Sequence, residues 1–410
     1  MRLLFLSPQL PWPLVSGARL RVYHLLRAAA REHRVDLLSF ADDGPSASVP
    51  MELRELCGTV ELVSAPPRRS PLARVLGAAL SPLPDLAERL WSAEMRQALA
   101  NRLASQRYDA VQACGLEMGR YLMQVRGPRR ILDEFNAEYL LQRSAARTDL
   151  TSPSGWPAVA YSAAQVTRLR AFEAALCRHA DLVLAVSDED AVALRELAPA
   201  TPIHIVPNGV DPGSFPFHEP GTDCQPTLLF TGSMDYRPND DAALWFVQRV
   251  LPLVKARLPE VRFFVVGHRP RPALVDSVRH DTAIAVTGGV DALEPYWDAA
   301  CLYVLPMRMG GGVRFKAMEA LSLGLPLVST TFGMQGIAAR PEHEYLNADT
   351  PETFAAAIFR LLEDAALRLR LARAGRELVE QRYAWRHVEP RLLHAYAELS
   401  GEPAVERPGG

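Results

Sequence analysis

Apolar residues in this chain fall into short runs of strand length, separated by longer stretches in which they recur every three or four positions. The runs lie at 2–6, 35–40, 59–63, 110–113, 130–132, 182–186 and 203–206. A second set follows at 228–231, 262–266, 283–287, 302–305 and 327–329. Helical spacing covers 17–31, 86–105 and 157–179, then about 240–250, 270–279, 291–299, 313–323, 351–363, 365–381 and 383–400. End signals agree with these periods. Ser187 precedes Asp188, Glu189 and Asp190, a helix start with acids in its first turn. Pro351-Glu352 and Asp364 mark two further starts. Strands alternating with helices throughout predict parallel α/β sheets.

The alternation pauses once. Pro207-Asn208-Gly209 is a turn, and 212–226 is loop-like in composition. A boundary there gives an N-terminal domain 1–208 and a C-terminal domain 209–384, with a Pro/Gly-rich tail at 401–410 that reads as frayed. Two doubly wound halves of similar size lead us to expect a ligand in a cleft between them, at the carboxyl ends of their strands.

The segment 301–330 organises this picture: strand, Gly310-Gly311-Gly312, helix, Gly324, strand. Gly324 stands where a left-handed helix stop belongs, and Pro326 blocks continuation. The expected helix 313–323 carries Arg314 and Lys316 in its first turn. The amino end of a helix already bears about half a positive charge, so two cations there call for an anion. The chain has only two lysines, Lys255 and Lys316. A lysine in an arginine-dominated chain suits a compact point charge facing phosphate. Glu319, three residues on, shares the helix face of Lys316. The plain alternative is a loop-to-helix joint with a surface Lys–Glu pair.

Composition narrows the function classes. At 410 residues two domains are expected, and 49% hydrophobic with 22% charged residues is ordinary globular composition. A net charge of −2 offers no basic field for nucleic acid. Five scattered cysteines without CxxC or Cys/His spacing lead us to expect reduced thiols and a cytoplasmic location. The first apolar run is too short for a signal segment, and no window reaches the roughly 18 apolar residues of a membrane span. Arg68, Arg69 and Arg74 beside Leu72, Val75 and Leu76 leave a peripheral contact with the inner membrane surface open. The stretch 66–84 reads either as a lid or acceptor loop or as a surface excursion.

Several motifs together resemble the retaining nucleotide-sugar glycosyltransferases of the GT-B type, glycosyltransferase group 1 (family four). Phe5-Leu6-Ser7-Pro8 with Gly17-Ala18-Arg19 is similar to the family's first strand and glycine loop. Ala185-Val186-Ser187-Asp188, Val206-Pro207-Asn208-Gly209-Val210-Asp211, Phe230-Thr231-Gly232-Ser233 and Val265-Val266-Gly267 match later signatures. Gly310 to Glu319 with Gly324-Leu325-Pro326 matches the donor loop and helix, and Arg382-Tyr383-Ala384-Trp385 the motif before a last helix, 385–400, that crosses back to the first domain.

The resemblance implies transfer of a sugar from a nucleotide-diphosphate donor (UDP-, GDP- or other) to a saccharide, lipid-linked or small-molecule acceptor hydroxyl, with retention, in glycan, polysaccharide or glycolipid biosynthesis. It implies Gly17, Arg237, Val290, Gly311, Gly312, Arg314, Lys316 and Glu319 at the nucleotide sugar, with Glu319 accepting from the ribose hydroxyls. No trusted metal motif is present, so no metal or other cofactor is expected, and Asp235, Asp240, Asp241 and Asp298 are expected to cap helices or be solvated. Arg314 and Lys316 would then stabilise the leaving diphosphate.

The chain departs from the family in three places. Gly311 stands where many members have a first glutamate. Only Arg237 follows the first donor strand where many have an Arg and a Lys. No histidine follows strand 110–113. Glu117 is the nearest polar group there and is our catalytic candidate on the acceptor side, with Asp133, Asn136 and Glu138 of the DEFNAE segment as a second cluster. The missing glutamate and histidine also allow a non-catalytic partner subunit, and the architecture a sugar-nucleotide epimerase.

Overall fold

Each apolar run becomes a strand in a parallel sheet, because its side chains are covered by helices on both faces. The computed structural model describes residues 1–41, 48–67, 69–70, 81–150, 156–221, 225–310 and 312–401, with side chains described except at 145–150 and 156–162. The chain divides into two compact units, Met1–Asn208 with Arg386–Gly410, and Gly209–Trp385.

The first unit holds β1 (Arg2–Ser7), β2 (Arg34–Ala41), β3 (Thr59–Ser64), β4 (Ala110–Cys114), β5 (Arg129–Asp133), β6 (Leu182–Ala185) and β7 (Ile203–Ile205). They pair in parallel in the order β3-β2-β1-β4-β5-β6-β7. Leu3, Leu4, Phe5 and Leu6 are fully buried in β1, as is every residue of β4. The order reverses between β1 and β4, so the loops after these two strands diverge and open a crevice at their carboxyl ends.

Under that end lies a buried ion pair. Arg21, on helix Gly17–Ala30, gives its Nη2 to Asp133 Oδ1 at 2.5 Å, and both side chains are 1% exposed or less. Its Nη1 reaches the Val206 carbonyl at 2.8 Å and Asn208 Oδ1 at 3.1 Å, tying the end of β5 to the Pro207-Asn208-Gly209 turn. The helix Trp385–Ser400 closes on this unit from its far end. Tyr396 Oη donates to Gln112 Oε1 at 2.5 Å, and Glu389 takes Arg27 and Arg31.

The second unit holds β8 (Thr227–Thr231), β9 (Arg262–Val266), β10 (Ile284–Val286), β11 (Leu302–Leu305), β12 (Leu327–Ser329) and β13 (Leu346–Asn347), in the order β10-β9-β8-β11-β12-β13. Its reversal falls between β8 and β11. Gly209, which opens this unit, has no room for a side chain: a Cβ would stand 2.5 Å from Trp385 Cδ2.

Several sequence expectations need correction. The helix expected over 86–105 is two pieces, Asp85–Glu88 and Ala93–Ser105, because Ser92 caps the second by accepting from Met95 N–H. A helix at Glu138–Leu150 was not foreseen, and β13 is too short to leave a pattern. Cys57, Cys114 and Cys177 are free and buried, but Cys301 is disulfide-bonded, against the expectation of reduced thiols throughout. Chain spacing carries no information on which thiols the fold brings together. Arg68, Leu72, Arg74, Val75, Leu76 and the tail beyond 401 lie outside the described residues. Arg69 donates to Asp85 at 3.3 Å. Among the described residues no helix is long and apolar enough to cross a membrane.

Candidate functional site

In the second unit the switch point sets two loops side by side: 232–236 after β8 and 306–314 after β11. The strands themselves are stitched there. Tyr303 of β11 accepts the Thr231 N–H at 3.2 Å and shares a 2.7 Å hydrogen bond with its hydroxyl.

Lys316 crosses this junction. The helix runs Phe315–Leu323 with Arg314 as its extended N-cap residue (φ −84°, ψ 99°), so it starts two residues later than expected and Arg314 lies outside the first turn. Lys316 Nζ donates to Asn239 Oδ1 at 2.8 Å and stands 4.5 Å from the centre of the Phe230 ring. Asn239 is itself held by donating to the Ser233 carbonyl at 2.8 Å. Gly232 makes room for the ammonium: a Cβ there would lie 2.5 Å from Lys316 Nζ and 2.7 Å from Asn239 Nδ2. Burial, then the nearby Arg314 charge, push the Lys316 ammonium down to about 7, against the pull of Glu319. The lysine therefore gives up its proton readily unless an anion arrives.

Arg314 is buried at 7% exposure, its guanidinium 5.5 Å from the Phe332 ring centre, and burial lowers its pKa too. Gly310, at φ 108°, wraps it; a Cβ there would lie 3.1 Å from Nη2. Gly312 has φ 74°, a conformation that favours glycine. Gly311 lies outside the described residues. Burial raises the Glu319 carboxyl, with Lys316 opposing. Gly324 ends the helix at φ 77°.

The other predicted residues spread around this centre. Arg237 is exposed, at the first position of helix Arg237–Trp245. Val290 is half-buried, beyond β10. The preceding Gly288 accepts the Gly267 N–H at 3.1 Å, so the loops after β9 and β10 meet. In the first unit, Gly17 begins its helix behind the cap Ser16, and Glu117 follows β4 in an ion pair with Arg89.

Asp235 accepts from Ser233 at 2.6 Å and pairs with Arg269, and Asp241 pairs with Arg308. Asp298 stands 3.4 Å from His218. Asp240 is buried rather than solvated, 3.7 Å from Arg271, and burial raises its pKa. Among the described residues no group of three or more His, Cys, Asp or Glu is placed to hold a metal.

The sequence reading did not assign a role to Asn239, Gly232 or Arg271. A Gly directly after a buried strand was a usable sign for Gly232; nothing local marked the other two. A cavity of about 500 Å³ lies at the opposite, amino end of this sheet, beside Thr227, Arg262 and Cys301. It is remote from the switch-point loops.

Known proteins agree with this architecture. A family model described as Glycosyltransferase Family 4 matches residues 15–214, and one described as Glycosyl transferases group 1 matches 225–364. A glycogen synthase of Mycobacterium tuberculosis is 25% identical over 97% of this chain and 94% of its own. An uncharacterized 44.6 kDa protein in the cps region of Klebsiella pneumoniae is 24% identical over 31% of this chain, and the alignment spans 35% of that protein. Sucrose-phosphate synthase from Thermosynechococcus elongatus superposes with a TM-score of 0.71 at 20% identity, covering 98% of this chain and 100% of that one. HepE of Anabaena, in complex with UDP and glucose, gives 0.65 at 16% identity over 97% and 99%. The fold is that of the GT-B glycosyltransferases. The chain belongs to glycosyltransferase group 1 and is an enzyme of that kind.

Proposed function

We propose that this enzyme moves a sugar from a nucleotide-diphosphate donor to an acceptor hydroxyl with retention and without a metal, as a step in polysaccharide or glycolipid synthesis. One observation carries the reading: Lys316, half-buried and aimed by Asn239, stands beside buried Arg314 at the sheet's switch point. Two cations drawn partly or wholly out of water match the diphosphate's charge, which grows as the sugar–oxygen bond breaks. Such preformed cations do the work a divalent ion would otherwise do. Glu319, on the same helix, accepts from the ribose hydroxyls. Gly312 offers its backbone N–H to the donor sugar, Val290 meets the base, and Arg237 adds a phosphate contact. Support also comes from HepE, whose structures carry UDP, UDP-glucose, or UDP with glucose.

Calorimetry with UDP-, GDP- and ADP-sugars, in EDTA and in magnesium, tests this reading. Binding of one donor, equal in both buffers and lost in Lys316→Ala, is expected. Absence of binding by all three overturns it. The anomeric proton of the product, read by NMR, reports retention.

A further inference from the structure

The cavity of about 500 Å³ at the amino end of the second sheet stands apart from the switch-point loops, yet it is walled like a binding site. Its volume falls within the range of small-molecule pockets, about 300–1,000 Å³. Every residue lining it belongs to the second unit. Two half-buried aromatic rings line it, Phe264 of β9 and Trp297 of helix Glu294–Ala299. Each is braced by a neighbour. Tyr296 meets Phe264 edge-on with ring centres 5.6 Å apart, and Phe215 tilts against Trp297 at 5.6 Å.

A further wall comes from the irregular chain 215–221, and helix Ala365–Leu378 holds that chain still. Arg376 Nη1 donates to the Phe215 carbonyl at 2.6 Å, and Arg368 Nη2 to the Gly221 carbonyl at 2.8 Å. Arg373 pairs with Glu219 at 2.6 Å. The His218 N–H reaches the Leu323 carbonyl at 2.9 Å. Gly324 allows this close approach: a Cβ there would stand 2.5 Å from Phe217 Cε2 and 2.7 Å from the His218 carbonyl oxygen. A wall ordered in advance costs a ligand little to organise.

The polar groups at the cavity carry both signs. Arg262 and Arg368 are positive, Glu219 and Asp298 negative, and Asp298 lies 3.4 Å from His218. A phosphate would meet the carboxylates and a metal ion the guanidiniums, and each such meeting is unfavourable. A neutral ligand with one apolar face and many hydroxyls suits all of them. A pyranose ring is such a ligand. Its C–H face packs on an aromatic ring, while its hydroxyls donate to carboxylates and accept from guanidinium N–H groups.

We propose that this cavity is a non-catalytic saccharide-binding site, with Trp297 and Phe264 against a sugar ring and Arg262 and Asp298 on its hydroxyls. It does not depend on the Lys316 centre.

Calorimetry and saturation-transfer NMR on the full chain, with maltotriose, cellotriose and chitotriose as probes, test it. At least one trisaccharide is expected to bind, and to bind about tenfold or more weakly in Trp297→Ala and in Arg262→Ala. Nucleotide-sugar affinity in Trp297→Ala is expected to stay within about twofold of wild type. The proposal is overturned if none of the three trisaccharides binds, or if both variants bind as wild type does. It is also overturned if a nucleoside diphosphate displaces the trisaccharide, which puts the sugar at the donor centre, or if inorganic phosphate does, which makes the cavity an anion site. If Trp297→Ala does not fold, Arg262→Ala decides, because its side chain is exposed. A chain that binds a trisaccharide here and no nucleotide sugar keeps this proposal and sinks the glycosyltransfer reading; the converse sinks this proposal alone.

Discussion

Lys316 Nζ lies 2.8 Å from Asn239 Oδ1, across 77 positions of chain. That contact joins the two helices that follow the switch-point loops and fixes where the second unit holds positive charge. Lys316→Met removes a charged hydrogen-bond donor, worth about 1.5–3 kcal/mol, and should weaken nucleotide binding about 10- to 100-fold. Asn239→Ala leaves the charge but not its aim, and should cost less. Titration calorimetry with the nucleoside diphosphate alone measures both.

The depressed Lys316 pKa gives nucleotide binding a pH dependence. Free protein loses the proton as pH rises through about 7, and bound diphosphate restores it. Affinity should therefore fall above pH 7, with up to one proton taken up on binding. Calorimetry at pH 8 in buffers of different ionisation enthalpy measures that uptake, which Lys316→Met should abolish. In the free protein the sign is the reverse for stability. The unfolded chain binds this proton up to about pH 10.5 and the folded one only to about 7, so this group adds stability as pH rises between them.

Two glycines near the site should fail in different ways. Gly267, at φ 150°, has no space at all: a Cβ would sit 1.9 Å from the Gly232 carbonyl oxygen. Gly267→Ala should cost roughly 3 kcal/mol or more, as a drop in melting temperature. At Gly232 the nearest obstacle is the tip of Lys316, which can move. Gly232, at φ 148°, adds backbone strain, so Gly232→Ala should lose some stability, less than Gly267→Ala, and lose nucleotide affinity.

The Arg21–Asp133 pair should behave as a buried ion pair whose single halves are costly. Arg21→Met or Asp133→Leu alone should lose about 3–5 kcal/mol in urea unfolding. The double variant should lose less than the sum, because neither leaves a buried charge behind.

Glu134→Gln should stabilise the protein at high pH. Burial and four facing carboxyls raise the Glu134 pKa, and Glu173 and Glu138 nearby titrate at about 8 and 7. A raised carboxyl contributes stability when protonated, below its unfolded pKa, and loses it as pH climbs through its folded pKa. Melting temperatures of variant and wild type should converge at acid pH and separate, variant higher, toward pH 9.

The alternation of apolar runs and helical periods was enough to give two parallel α/β halves, since a strand buried on both faces must be apolar along its length. The motifs around Pro207-Asn208-Gly209 and Gly310 to Glu319 carried the family resemblance, and Gly324 and Ser187 marked helix ends through local backbone chemistry. What the chain could not reveal was which distant groups meet. Asn239 under Lys316, Arg21 under Asp133 and Glu173 beside Glu134 are separated by tens of residues or more, and no local rule links them. Nor could the sequence say how strongly Lys316 and Glu138 hold their protons. Those values come from burial and neighbouring charge, which exist only once the strands have brought their carboxyl ends together.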